Sequence, residues 1–221
     1  MHWTEHVPAL VQGAGVTAWI TVVSVVLGVL AAFVVGIARV AGPLPLRWAA
    51  LTYTEVIRGT SLMVQLFWFY YALPLVGLSL PPVATGILVL SLHVGAYGSE
   101  IVRGALQSVS VQQREAARAL NFGHWYTLLH ILLPQAVVEM VPAFGNLAVE
   151  TLKMTSLVSL ISIVDLTFRA ESIRNLTLDS TTVYTMTLVG YFLMALVLAA
   201  FMRRVEKWVR RGPAFPKETR S

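Results

Sequence analysis

The chain has 221 residues, of which 57% are hydrophobic and 12% charged, with a formal net charge of +5 and a mean hydropathy of +0.72. A water-soluble domain of this size needs a charged exterior that such a composition does not supply, so the sequence reads as an all-α integral membrane protein with a single transmembrane domain over 1–221. The lack of cysteine excludes disulfides, thiolate metal sites and cysteine nucleophiles, and the basic excess is of the kind that orients a membrane protein, not one that binds nucleic acid.

A bilayer core about 30 Å thick takes about 20 apolar residues at 1.5 Å each to cross. The first stretch that qualifies is 15–40. Met1 to Gly13 holds no Lys or Arg and the apolar run is long, so this segment is a retained span and not a cleaved signal peptide. Gly28, Ala32 and Gly36 recur along it every four positions, a spacing that lets another helix approach closely. A second span is expected over 53–78, with Gln65 as its lone amide, suited to an interhelical hydrogen bond or, less simply, to the solute path. The third, 82–104, carries His93, which has no second ligand at metal spacing and reads as packing; no metal site is expected.

The longest connection follows, from Arg103 to His130. Within it Gln112 to Leu120 is built almost wholly of strong helix formers, with Ala116, Ala119 and Leu120 on one face, and Asn121 and Gly123 are residues that tolerate the left-handed conformation ending a helix. A short rigid helix over about 112–123 is expected. The fourth span, 130–153, is interrupted by Glu139, Pro142, Asn146 and Glu150, whereas 156–166 is apolar but too short to cross and reads as an outer interfacial or re-entrant helix. The fifth span is 181–205. Parity supports the fourth crossing: with it, every Lys and Arg of the 16 except Lys153, Arg169 and Arg174 falls on one side, which is then cytoplasmic, with the N-terminus extracytoplasmic and the basic tail inside.

Polar residues inside a span cost about 2.5–3.5 kcal/mol each on insertion scales and require a reason. Glu139, Asn146, Glu150 and Lys153 fall near one face of the fourth helix, which should look towards a partner subunit or a watery path. Glu150 is a candidate for the cationic group of a solute, with Lys153 for its carboxylate or as the residue that holds Glu150; a simple i,i+3 salt bridge is the competing reading. Arg58 and Arg103 sit at the cytoplasmic ends of spans two and three, where they serve as anchors, but Glu55 and Glu100 lie three residues from them, and such pairs can form an inner gate. No G-x-x-x-x-G-K-[ST], H-E-x-x-H or G-x-S-x-G motif is present, so no catalytic residue is assigned and no ATPase site of that kind.

Glu115-Ala116-Ala117, then Asn121, then Ile131-Leu132-Leu133-Pro134 resembles the EAA loop of ABC importer permeases, with Asn121 where that family has glycine. Tyr53-Thr54-Glu55-Val56-Ile57-Arg58-Gly59-Thr60-Ser61-Leu62-Met63-Val64-Gln65 is similar to the Y-V-E-x-x-R-G-T-P-L-x-V-Q segment of the polar amino acid uptake branch, with Ser61 for proline. Lys153-Met154-Thr155-Ser156-Leu157-Val158 resembles its K-D-T-S-L-V, with Met154 for the acid. The resemblance implies a type I importer in the bacterial inner membrane: two permease subunits, identical or similar, two ATPase subunits that bind the ATP and Mg, and an extracytoplasmic solute-binding protein. It implies no cofactor in this chain and an ATPase-coupling surface at Glu115, Ala116, Ala117, Leu120, Asn121, Phe122 and Gly123. The solute implied is a polar amino acid or a small zwitterion, ectoine included. The rival reading is an ATP-independent secondary transporter or channel, since intramembrane acids also serve as proton sites, although the inverted repeats usual in such carriers are not evident.

Overall fold

A computed structural model of the chain describes residues 6–210. In chain order it comprises α1 (Val7–Ala41), α2 (Leu44–Gly59), α3 (Leu62–Phe67, prolonged by a π turn and a 3-10 turn to Val76), α4 (Pro82–Ser108), α5 (Val111–Ala119), α6 (His124–Tyr126), α7 (Leu133–Met154), α8 (Leu166–Thr177) and α9 (Ser180–Arg210). A π turn, Thr127–Leu132, joins α6 to α7, and a 3-10 turn, Thr155–Ile161, follows α7. Four of these helical runs, including His124–Ile161, are long and apolar enough to cross a membrane, and the bent pair α2 and α3 makes a fifth if taken as one span.

Helices α1 and α4 form the spine, and small side chains set their distance. A Cβ placed on Gly28 would lie 2.4 Å from Val94 Cβ, one on Gly36 2.7 Å from Val102 Cβ, and one on Gly98 of α4 2.6 Å from Ala32 Cβ. The two stripes interlock, and the spacing Gly28, Ala32, Gly36 is the reason the backbones can come this close. Around this seam one apolar cluster gathers Val94, Val102, Leu106, Leu132, Met140 and Phe144 at the end of the bundle that carries α5. A second cluster, with Leu10, Leu166, Ala170, Ile173 and Val183, packs the start of α1 against α8 and the start of α9. Lys153, Arg169 and Arg174 therefore lie at one end of the bundle with the start of α1, and Arg39, Arg103, Arg114 and Arg118 at the other. Of the basic tail, Arg211, Lys217 and Arg220 lie outside the described residues.

Three expectations change. The stretch 53–78 is not one helix: the chain turns by 104° between Leu44–Gly59 and Leu62–Val76. Thr60 and Ser61 are both extended (ψ 152° and 133°), which ends one helix and starts another. The stretch 156–166, expected as an outer interfacial or re-entrant helix, is largely buried in the bundle and is not one continuous helix. A 3-10 turn, Thr155–Ile161, takes up its first part, with Val158 and Ile161 fully buried against Ile20, Leu66, Val89 and Leu90, and the turn stops at Ser162 in the left-handed conformation (φ 63°). The helix that does lie in this connection is α8, begun by Asp165, whose side chain accepts the Phe168 N–H at 2.9 Å as an N-cap. Lastly, the helix expected over 112–123 ends at Ala119.

Candidate functional site

The knob between α4 and α7 is small and well fixed. Helix α5 stops because Asn121 takes the left-handed conformation (φ 57°), which lets its N–H reach the Arg118 carbonyl at 2.9 Å and the Phe122 N–H the Ala117 carbonyl at 3.0 Å. Gly123, by contrast, is extended (φ −64°, ψ 155°) and leads into α6. Ala117 is buried, and Arg114 Nη2 donates to the Leu106 carbonyl at 2.6 Å, tying the knob to the end of α4. Glu115 and Ala116 are exposed beside Leu120 (67% exposed) and Phe122 (39%), and Trp125 and Tyr126 extend the same uncovered apolar surface. A monomer gains nothing by exposing this much apolar surface next to a carboxylate; a partner that covers it does.

At the same end, the expected pairs rearrange. Glu55 is exposed and makes no ion pair among the described residues, so it does not pair with Arg58. Arg58 crosses instead to Glu100, 3.3 Å from Oε1, with its guanidinium 5.2 Å above the Tyr97 ring. Arg103 binds the other oxygen, Nε at 2.9 Å and Nη2 at 2.8 Å. A third arginine completes the arrangement: Arg39 of α1, only 10% exposed, donates Nη1 to Glu100 Oε1. One carboxylate thus holds α1, α2 and α4 together through three arginines. Arg39 was legible only as one more basic residue at a span end. Its role follows from register: Gly36 packs on Ser99 and Val102, so the next turn of α1 must meet the turn of α4 that carries Glu100 and Arg103.

Glu139, Asn146, Glu150 and Lys153 are all exposed along α7. Glu150 and Lys153 make no salt bridge among the described residues, so neither the clamp of Lys153 on Glu150 nor the i,i+3 bridge is present. Glu139 accepts the Ser108 hydroxyl from the end of α4, while Asn146 lines a groove with Gly145, Met202 and Arg203 between α7 and α9. Gln65 stands apart from this face. It is 8% exposed and sits in the bend, where Nε2 donates to the Ile57 carbonyl at 2.9 Å and to Thr60 Oγ1 at 2.7 Å. Among the described residues no group of three or more His, Asp or Glu side chains stands close enough to hold a metal ion.

Sequence and fold comparisons agree with this arrangement. Residues 24–211 match the family model described as binding-protein-dependent transport system inner membrane component. A probable amino-acid ABC transporter permease protein, y4tF of Sinorhizobium fredii, is 50% identical over 96% of this chain and 91% of its own length. The glutamine transport system permease protein GlnP of Escherichia coli is 34% identical over 91% of this chain and 93% of its own. Among solved structures, an amino acid ABC transporter crystallised with histidines superposes with a TM-score of 0.87 at 32% identity, over 93% of this chain and 96% of that one. The MetNI methionine transporter, at 20% identity and a TM-score of 0.77 over 91% of this chain and 96% of that one, shares the fold. These likenesses decide against the ATP-independent carrier and place ATP hydrolysis in a separate subunit. The chain belongs to the family of inner membrane components of binding-protein-dependent transport systems and is the permease subunit of an ABC importer.

Proposed function

We propose that this permease imports a polar amino acid or a similarly small zwitterion, driven by two ATPase subunits that grip the knob at Glu115 to Gly123. The observation that carries this reading is the knob itself: a short helix, stopped by Asn121, fixed to the bundle through Ala117 and Arg114, with Glu115, Leu120 and Phe122 left uncovered. Such an element moves as a rigid lever when a partner pushes it. It lies at the basic end of the bundle, which supports a cytoplasmic knob and tail, an extracytoplasmic N-terminus, and ATP and Mg held by the ATPases. The amino-acid names of the relatives support the solute class. A second permease copy or a similar chain completes the path along α7, and an extracytoplasmic binding protein delivers the solute at the opposite end. In proteoliposomes of the assembled transporter, Glu115→Lys should cut solute uptake at least tenfold and abolish its dependence on ATP while the amount of inserted permease is unchanged; uptake equal to wild type would remove the knob from the mechanism.

A further inference from the structure

Four arginines converge near the ends of α1 and α4, yet among the described residues a single acid answers three of them. Glu100 pairs with Arg39, Arg58 and Arg103, and Arg47 makes no ion pair among the described residues. Between the ends of α1 and α4 and the start of α2 lies a cavity of about 330 Å³, lined by Arg39, Arg47, Arg103 and Gln107. That volume lies within the range of about 300–1,000 Å³ found for small-molecule sites. Arg39 gives one N–H to Glu100, and a guanidinium has five, so its capacity is far from spent. Gln107 already takes Arg103 Nη1 on its oxygen at 2.8 Å, which steadies that arginine at the cavity wall. The basic cavity also has an apolar rim. Trp48 lines it and is 62% exposed, beside Leu44 at 66%. In a membrane chain an exposed tryptophan and leucine next to arginines mark the level where headgroups meet acyl chains.

We propose that this cavity binds the phosphate headgroup of an anionic lipid, drawn from the leaflet that borders this end of the bundle. Arg47 and Arg103 donate to the phosphate oxygens from α2 and α4, and the largely buried Arg39 adds its charge from α1, the fork geometry of guanidinium being matched to phosphate. Trp48 and Leu44 lie against the glycerol and the first methylenes of the chains. Soluble inorganic phosphate shares the headgroup chemistry but has nothing to place on that apolar rim. A bound lipid would brace α1, α2 and α4 through Arg39, Arg47 and Arg103, two of which Glu100 also holds.

The test uses the full-length permease purified from membranes into nanodiscs of phosphatidylcholine, with and without phosphatidylglycerol, and counts the lipids retained on the released protein by native mass spectrometry. Wild type should retain phosphatidylglycerol over phosphatidylcholine by about tenfold, the factor carried by one charge-assisted hydrogen bond. Arg47→Gln, at an exposed position outside the proposed gate and coupling residues, should lose that preference, whereas Lys207→Gln, which removes one positive charge on α9 away from the cavity, should keep it. A parallel arm adds inorganic phosphate to lipid-depleted protein in detergent and reads the shift in thermal midpoint against that given by phosphatidylglycerol. Equal retention by wild type and Arg47→Gln, or no preference in wild type, would overturn the proposal. So would stabilisation by inorganic phosphate as large as by the lipid, which would make this a soluble-anion site. Because bound lipid is read directly, none of these outcomes depends on whether the chain transports an amino acid.

Discussion

Asp165 is a fully buried carboxyl in the connection between the 3-10 turn and α8, outside the spans. Burial pushes its pKa up to about 6 from 3.8, although the Phe168 N–H, at 2.9 Å, and the Tyr191 hydroxyl, at 3.2 Å, favour the charged form. Neighbouring bonds lock the same junction: the Leu166 N–H reaches Thr17 Oγ1 at 3.1 Å, and the Thr167 and Tyr191 hydroxyls meet at 2.8 Å. Since the folded state holds its proton more tightly than the unfolded state, the stability gained from protonated Asp165 is complete below about pH 4 and is lost as pH rises towards about 6. The amount is up to about 3 kcal/mol, because a tenfold difference in proton affinity between the two states corresponds to about 1.4 kcal/mol. The thermal midpoint of the purified transporter should therefore fall across that window, and Asp165→Asn, which keeps an acceptor for Phe168, should flatten the fall; a wild-type midpoint indifferent to pH there would refute this account. Glu100 makes the complementary case, a carboxylate 21% exposed and surrounded by arginines. Removing its charge with Glu100→Gln leaves Arg39 unanswered in the interior and should cost about 3 kcal/mol, seen as a lower midpoint in the same assay.

At the scale of elements, the bend between α2 and α3 has the clearest chemical cause. The last carbonyls of α2 have no helical partner once the chain turns away at Thr60, and Gln65 supplies one by reaching back to Ile57 and Thr60. Gln65→Leu keeps the volume but strands the Ile57 carbonyl in an apolar setting, at a cost of about 2 kcal/mol and about 5 °C in the midpoint. An unchanged midpoint would show that the bend is held by packing alone. Hydropathy sees composition and not direction, so 53–78 reads as one span although the chain turns inside it. The same blindness hid α8, whose Arg169, Glu171 and Arg174 make it look like a loop, while its N-cap Asp165 was the available signal. Conversely, α1, α4 and α9 are legible because each is a long apolar run, and the stop signal after α5 is legible in Asn121, since few residues other than Asn or Gly take φ 57° cheaply, although the expected bound at 123 overran it. The partners of Glu100 were only half legible: Arg103 is local, three residues away, but Arg39 and Arg58 arrive from other helices.

Taken as a whole molecule, the chain carries two kinds of exposed surface that cannot share one solvent. Helix α9 presents Leu193, Val197 and Phe201 outward, Val197 at 72% exposure, as suits lipid. Helix α7 presents Glu139, Asn146, Glu150 and Lys153, and each charge among them left at mid-bilayer would cost about 2.5–3.5 kcal/mol. The chain escapes that cost if the α7 face borders a second permease subunit and the wet path between the two. With no native cysteine in this chain, the distinction can be read chemically on the permease band itself. In the assembled transporter, Asn146→Cys should react with a membrane-impermeant thiol reagent at least tenfold faster than Val197→Cys, because only water supports the thiolate that does the chemistry. The added solute should slow the first reaction and leave the second alone. Equal, slow labelling at both positions would mean that the α7 face is sealed against protein or lipid, and the solute would have to pass elsewhere.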